Sequence, residues 1–411
     1  MSKIIVLGAG MVGSAMAIDL AKQHEVTVTD KSADVLQRLQ KRESGLSIQT
    51  LDVTDKNALQ ATIASFDLIV CAVPGFLGYN TLKSIIESGK DVVDISFFPE
   101  NALALDALAK QNEVTAIIES GKDVVDISFF PENALALDAL AKQNEVTAIV
   151  DCGVAPGMGN VILGYYNSQL KLTDFECLVG GLPKEKKWPF NYKAPFSPMD
   201  VIEEYTRPAR YVENGQVVTR EALTDCEFVD FANVGTLESF NSDGLRSIIH
   251  TMAHIPNMKE KTLRYPGHVE YIKVLKEAGF FNPNPIEVNG SSVSPLAFTS
   301  ELLFREWKLG REEEEFTVMR ITLKGENADG RRIQVQYDLY DAFDVNTKTS
   351  SMARTTGYTA TAAVNMMLGG LFDDKGVFPP ELVGHNKRCF DFILQYLEDR
   401  GVTYVKRETI L

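Results

Sequence analysis

The residues best suited to chemistry open the chain. Gly8-Ala9-Gly10-Met11-Val12-Gly13 has the spacing GxGxxG; it follows the apolar run Lys3-Ile4-Ile5-Val6-Leu7 and precedes a helical pattern over residues 14–22. Strand, turn, then helix is the context in which this spacing binds a dinucleotide. Gly8 permits the tight turn, Gly10 lets the backbone approach a pyrophosphate, and Gly13 lets the helix pack closely on the strand. The helix start, with Met11 and Val12, then offers free N–H groups and a positive dipole end to phosphate. Twenty residues after Gly10, Asp30 ends the next strand pattern. A carboxylate there accepts both ribose hydroxyls of NAD and repels the 2′-phosphate of NADP, so NAD is expected ahead of NADP, with the neighbouring Lys31 softening the preference.

Ligands of doubly wound sheets gather at the carboxyl ends of the parallel strands. Asp52 and Val53, after the third strand pattern, are therefore expected near the adenine, and Ala72, Val73 and Pro74, after the fourth, along the other side of the dinucleotide. By the same rule Asp94, its duplicate Asp126, and Asp151 point toward the nicotinamide as candidate acid–base groups. A cap or loop hydrogen bond is the alternative for each. Cys152 reads as a small buried hydrophobe rather than a nucleophile. Residues 261–268, KTLRYPGH, gather cations and an imidazole beside a proline turn. Arg264 has the paired donors that hold a carboxylate, with a salt bridge as the plainer use. His268 is either a local base or a hydrogen-bonded structural histidine. His250 and His254 share a helical face, but with no HExxH and no third ligand no metal is expected.

The elements that must hold these groups alternate as strand and helix over residues 3–151. Candidate strands at 4–7, 25–29, 47–51, 67–73, 91–96, 123–128 and 146–150 predict βαβ units and a parallel sheet. Residues 152–193, rich in Gly and Pro and carrying the basic loop 184–187, read as a domain junction. Beyond it the pattern becomes α+β, with a hairpin of strands 316–324 and 331–341 around the turn 325–330. Glu312 to Glu315 read as a solvated loop, and 358–368 as a tightly packed helix. The expected fold is α/β: a doubly wound parallel Rossmann sheet over 1–151, an inserted α+β substrate and dimerisation domain over 152–350, and helices over 351–411 that return to the first domain.

One feature breaks the alternation. Residues 85–116, IIESGKDVVDISFFPENALALDALAKQNEVTA, recur letter for letter as 117–148. Natural repeat arrays diverge between copies and need about three units, so this reads as a recent tandem duplication, an engineered one or an assembly error rather than a solenoid. A doubly wound sheet has one place for the unit, and the spare copy is expected at a sheet edge, on a helix face or swapped into a partner.

Composition narrows the partners. The 411 residues are 45% hydrophobic and 24% charged, with 41 basic against 56 acidic side chains and a net charge of -15. Two domains are expected at that length. The negative balance argues against nucleic acid or an anionic membrane, whose phosphates require a basic surface. The five cysteines have no CxxC spacing and suit free thiols in a reducing compartment. The strand pattern at the N-terminus leaves no room for a signal peptide, and no run reaches a membrane helix of roughly 18 apolar residues. A soluble cytoplasmic protein is the expectation.

The segments VLGAGMVG, AVPGFLGYNTLK, DVVDISFFPE, VDCGVAPGMGN, YTRPARYVENG, TLESFNSDGLRSII, PNMKEKTLRYPGH and SMARTTGYTATAAVNMML resemble the saccharopine dehydrogenase-like family, and within it the bacterial and archaeal lysine 6-dehydrogenases. The resemblance implies hydride transfer from a C–N carbon at the lysine ε-position to a nicotinamide, a small amino-acid substrate and a homo-oligomer. It implies a substrate carboxylate contact at Arg264, in a candidate set with Asp243, Arg246 and Lys261. Arg207 and Arg210 add cations enough for a second carboxylate, so a saccharopine dehydrogenase or carboxynorspermidine-type reductase is the rival expectation. A non-catalytic NAD-binding regulator is a third, because a fold does not dictate function.

Overall fold

The structure is a computed structural model that describes residues 1–73, 77, 81, 84, 88, 91–94, 124–126, 147–149, 151–195, 198–310, 312–374 and 376–411. The chain divides into two compact units. One comprises Met1–Ser168 with Ala353–Val402, the other Gln169–Met352 with Thr403–Leu411.

The first unit begins β1 (Lys3–Leu7), α1 (Met11–Leu20), β2 (Glu25–Asp30), α2 (Ala33–Arg42), β3 (Ser47–Thr50), α3 (Lys56–Ile63) and β4 (Leu68–Cys71). Then come β5 (Asp91–Asp94), β6 (Val124–Asp126) and β7 (Thr147–Ile149), with an edge strand from Gly376–Phe378. Their order in the sheet is edge strand, β7, β6, β5, β4, β1, β2, β3, and every pairing is parallel. Ile4, Ile5, Val6 and Leu7 of β1 are wholly buried, the continuous apolar run of a strand covered on both faces. Strand order reverses between β1 and β4, so the turn after β1 lies at the switch point where such sheets bind ligands.

The chain returns to this unit through Ser351–Leu368, Pro380–Gly384 and Lys387–Glu398. The lock is Asp19 of α1, buried and accepting hydrogen bonds from Tyr396 (2.7 Å), Thr361 (2.8 Å) and Arg400 Nε (2.7 Å). Burial pushes this carboxyl up, but the Tyr396 hydrogen bond, the Arg400 charge and Thr361 more than offset it and hold it below the ordinary range. Met158–Asn167 crosses Pro380–Gly384 at two glycines. A Cβ on Gly164 would lie 1.9 Å from the Glu381 carbonyl oxygen, and one on Gly384 2.1 Å from that of Val161. This packing carries the first unit to Ser168 instead of ending it at residue 151. At the other end, Tyr404–Ile410 leaves the returning helices and pairs with Arg332–Ala342 in the second unit.

The second unit is a mixed sheet around Lys171–Pro183, which pairs in parallel with Asn257–Arg264 and antiparallel with Glu315–Glu326. The stretch read as a junction thus holds a helix and a central strand. Gly180 and Gly181 serve packing, not chain reversal: a Cβ on Gly180 would meet the Leu263 carbonyl oxygen at 2.6 Å, and one on Gly181 the Pro195 ring at 2.6 Å. The expected hairpin forms between Glu315–Glu326 and Arg332–Ala342. Of the acidic run before it, Glu312, Glu313 and Glu314 pair with Lys348, Lys187 and Lys184, whereas Glu315 is buried because it lies inside the strand. One side of the sheet carries a core of Tyr192, Tyr205, Phe240, Val269, Leu303 and Trp307.

Candidate functional site

Each glycine of the first turn is required for a different reason. Gly8 has φ +104°, and a Cβ there would sit 2.4 Å from the Ala72 carbonyl oxygen. On Gly13 it would sit 2.2 Å from the Gly8 carbonyl oxygen and 3.0 Å from Ala72 Cβ. Gly10 is the opposite case, with nothing within 4 Å, so the chain keeps open space where a pyrophosphate would approach. Gly10 is the N-cap of α1, and Met11, Val12 and Gly13 form the first turn, whose N–H groups have no partner within a helix. Asp30 closes the frame from β2: its carboxylate accepts from Ala9 N–H at 3.0 Å and Ser32 N–H at 2.9 Å. These residues fit a dinucleotide, whose phosphates α1 would hold and whose ribose Asp30 would hold.

Asp52 is exposed after β3 and accepts from the Thr54 amide (3.0 Å) and hydroxyl (2.7 Å). Those bonds, with the charge of Lys31, hold its carboxyl below the usual range. Val53 beside it packs on the core of Leu51, Leu59 and Ile63. Ala72 and Val73 follow β4, the Ala72 amide donating to the Leu7 carbonyl at 2.8 Å; Pro74 lies outside the described residues. Asp94 and Asp126 are register partners on neighbouring strands, so both copies of the duplicated strand stand within the sheet. The second is neither at an edge nor on a helix face, because its neighbours present the same open ladder on either side. Asp151 follows β7 as a buried residue with φ +55°. Cys152 is buried with its thiol 3.9 Å from the Thr359 carbonyl.

In the second unit the segment around Arg264 is a closed network. Arg264 is 1% exposed. Its Nε donates to the Tyr205 hydroxyl (3.1 Å), Nη1 to the Leu263 carbonyl (3.0 Å) and Nη2 to Glu204 (2.6 Å). The guanidinium also lies over the Tyr192 ring at 4.5 Å. Burial alone would lower its pKa, but Tyr192, Tyr205 and Glu204 raise it above the ordinary value. The carboxylate on Arg264 is therefore Glu204, whose own carboxyl is raised by burial against the pull of the arginine. His268 is equally committed. Its Nδ1 lies 2.9 Å from the Phe190 carbonyl and Nε2 2.8 Å from the Tyr205 hydroxyl. A carbonyl only accepts, so Nδ1 carries the proton and Nε2 accepts from Tyr205. Burial and the Arg264 charge push His268 down to about 3, and the neutral ring is a structural link rather than an exposed base.

Lys261 departs from the expected set. It is three residues from Arg264 on one strand, and successive strand side chains point to opposite faces. Its ammonium donates to the Asp225 carbonyl (2.6 Å) and Glu227 (2.8 Å). Asp243 accepts from Arg210 at three points, the amide (3.1 Å), Nε (3.0 Å) and Nη2 (2.9 Å). Arg246 is buried with φ +46°, three residues along the same loop. His250 and His254 do not share a helix, since Ile248–Thr251 ends before His254.

Glu204, Tyr205 and Glu260 complete the cluster and were not singled out from sequence. Glu260 is 7% exposed, and its carboxyl lies so close to Gly244 that a Cβ there would fall 1.7 Å from Oε1. Burial, then the charges of Asp243 and Glu204, raise it to about 8 against the pull of Arg246. The only signal in the sequence is a carboxylate on the same strand face as Met258 and Arg264.

A family model described as the saccharopine dehydrogenase C-terminal domain matches residues 153–402, and one described as the saccharopine dehydrogenase NADP binding domain matches residues 4–117. Among curated relatives, the chain is 22% identical to the mitochondrial alpha-aminoadipic semialdehyde synthase of Rattus norvegicus, aligning 99% of this chain with 48% of that protein, so it spans about half of that relative's length. It is 23% identical to the saccharopine dehydrogenase [NADP(+), L-glutamate-forming] of Saccharomyces cerevisiae over 99% of both chains. It is 22% identical to the carboxyaminopropylagmatine dehydrogenase of Synechocystis, over 93% of this chain and 92% of that one. The solved apo structure of the Saccharomyces cerevisiae saccharopine dehydrogenase shares the fold, with a TM-score of 0.74 at 20% identity over 100% of both chains.

Proposed function

The chain belongs to the saccharopine dehydrogenase family, and on that premise we propose that it is an NAD-dependent dehydrogenase oxidising the ε-amino C–N bond of L-lysine. Membership makes it an oxidoreductase with an NAD(P)-binding domain. The observation that carries the cofactor side is the glycine turn, where two glycines are needed for packing and Gly10 alone faces open space. The first-turn N–H groups of α1 would bind the pyrophosphate, and Asp30 the ribose hydroxyls. The preference for NAD over NADP rests on that carboxylate. A 2′-phosphate would meet it as a like charge, and Ala9 and Ser32 already hold it in place.

When bound, the nicotinamide supplies the hydride acceptor. Oxidation takes a hydride from the ε-carbon and a proton from the nitrogen, and water then converts the imine to an aldehyde and ammonia. Asp94, Asp126 and Asp151, at or beyond the carboxyl ends of their strands, are the proposed proton acceptors. His268 leaves that role, because Phe190 and Tyr205 occupy both ring nitrogens. For the substrate we retain Asp243 and Arg246, with Arg264 anchoring the cluster from behind. A second reading is a secondary amine bearing two carboxylates, as in saccharopine; the names of the relatives and the additional Arg210 beside Asp243 favour it. A symmetric homo-oligomer belongs to the same reading, and light scattering at the mass of one chain would remove it.

Initial rates with NAD or NADP, each with L-lysine, saccharopine or no amine, test all of this. We expect reduced cofactor with lysine and NAD, NAD favoured by about tenfold, and Asp30→Ala narrowing that gap. Equal rates with the two cofactors would refute the Asp30 argument, and turnover of saccharopine alone would transfer the chain to the second reading.

A further inference from the structure

Because the two copies are identical, removing residues 85–116 or residues 117–148 leaves the same 379-residue polypeptide. In the sheet each copied residue lies opposite its own duplicate: Val92 with Val124, Val93 with Val125, Asp94 with Asp126. On its far side β5 pairs with β4, where Cys71 faces Asp94, and β6 pairs with β7. A single strand would hold both of those neighbours; here each copy holds one. The family models match residues 4–117 and 153–402, and nearly all of the second copy lies between them.

One inserted strand has a one-sided effect. Neighbouring strands are spaced by about 4.8 Å. The glycine turn and Asp30 depend on β1, α1, β2 and β4, none of which the insertion separates. β7, and with it Asp151 and the turn Gly153–Gly157, stands one strand further from β4 than a single copy would place it. In doubly wound sheets the two halves of a dinucleotide lie on opposite sides of the switch point.

We propose that the extra strand separates cofactor binding from turnover: the chain holds the adenosine diphosphate half normally and Asp94 keeps its place beside β4, while Asp151 and the turn Gly153–Gly157, on the nicotinamide side, are displaced by one strand. This rests on the reading of the chain as an NAD(P)-dependent dehydrogenase. A displacement of about 1 Å at a reacting centre already costs on the order of 100-fold in rate.

The test compares the full chain with the 379-residue chain, using ADP-ribose, NADH and turnover of L-lysine and of saccharopine as readouts. ADP-ribose should bind both with Kd values within about twofold, since its side of the sheet is unchanged. The shortened chain should bind NADH about tenfold more tightly and turn over at least about 100-fold faster. A gain in NADH affinity with neither amine oxidised supports the displacement and removes the substrate assignment. Equal NADH affinity and equal turnover overturn the proposal.

Proline variants of the full chain cover the case in which the deletion fails to fold. Proline removes a ladder donor and is excluded from interior strands. Val92→Pro and Val124→Pro should each expel one copy and leave the other to join β4 to β7, both gaining NADH affinity, while the double variant loses ADP-ribose binding. If Val92→Pro alone abolishes ADP-ribose binding and Val124→Pro changes nothing, the copies are not interchangeable and the proposal falls.

Discussion

The glycine turn of the first unit and the arginine cluster of the second treat polar groups in opposite ways. Around Gly8, Gly10 and Gly13 the backbone is drawn tight against Ala72 and itself, yet Gly10 faces open space and the first-turn N–H groups of α1 have no partner within the helix. Around Arg264 the cation, a carboxylate, a phenol and an imidazole satisfy one another within the fold. Similar residue types therefore do different work. Unfilled donors on a rigid turn make a binding site, and filled donors in a buried network hold a site's walls. A buried arginine with every direction engaged contributes rigidity.

Arg264→Ala is the strongest way to break the comparison. It leaves Glu204 half-buried without its partner, and removing one member of a buried pair costs about 3–5 kcal/mol. Chemical denaturation should show that loss, with ADP-ribose affinity of the folded protein unchanged. A stable variant with only a raised substrate KM would mean that Arg264 touches substrate directly. Within the glycine turn, Gly13→Ala places a Cβ 2.2 Å from a backbone oxygen and should cost about 1–3 kcal/mol of stability as overpacking. Gly10→Ala meets nothing within 4 Å; it should melt like the parent yet lose cofactor affinity by isothermal titration. Equal melting losses in the two would show that Gly10 is also structural.

How much of this was legible follows the same division. The first sheet was readable because β1 and β4 announce themselves by continuous apolar runs and β2 by its alternating valines, and because GxGxxG prescribes a local geometry that depends on few distant residues. The long hairpin was readable from the alternation of Ile333, Val335, Tyr337 and Leu339. The boundary between the two units, at Ser168, falls within residues 152–193; the strand they contain was not legible because Gly180 and Gly181 look like turn residues until the Leu263 and Pro195 they pack against are known. Arg264 and His268 were recognised as notable, but their partners Glu204, Tyr205 and Phe190 come from segments 59 to 78 residues away in sequence. Only tertiary contact brings those together. Lys261 was grouped with Arg264 by proximity along the chain, which the pleat of a strand overrides.

The smallest predicted effect, and the sharpest for the second cluster, is a difference in pH dependence. Glu260 rises from its ordinary 4.5 to about 8 in the folded protein. Between those values the folded state holds a proton that the unfolded state has lost, so stability falls as pH rises and is constant again above about 8. His268 works the other way: its imidazole falls from 6.5 to about 3, so stability gained above 6.5 is lost as pH drops toward 3. The two windows overlap only between about 4.5 and 6.5, where they oppose each other. From pH 6.5 to 8 Glu260 acts without His268. Glu260→Gln keeps the shape and cannot ionise, so it should gain on the parent by at most about 1.4 kcal/mol per pH unit in that interval, and by nothing further above it. Urea denaturation at half-unit steps from pH 6 to 9 measures the difference. A constant offset between variant and parent across that range would mean that the Glu260 carboxyl does not titrate there, and that burial with the charges of Asp243 and Glu204 does not raise it.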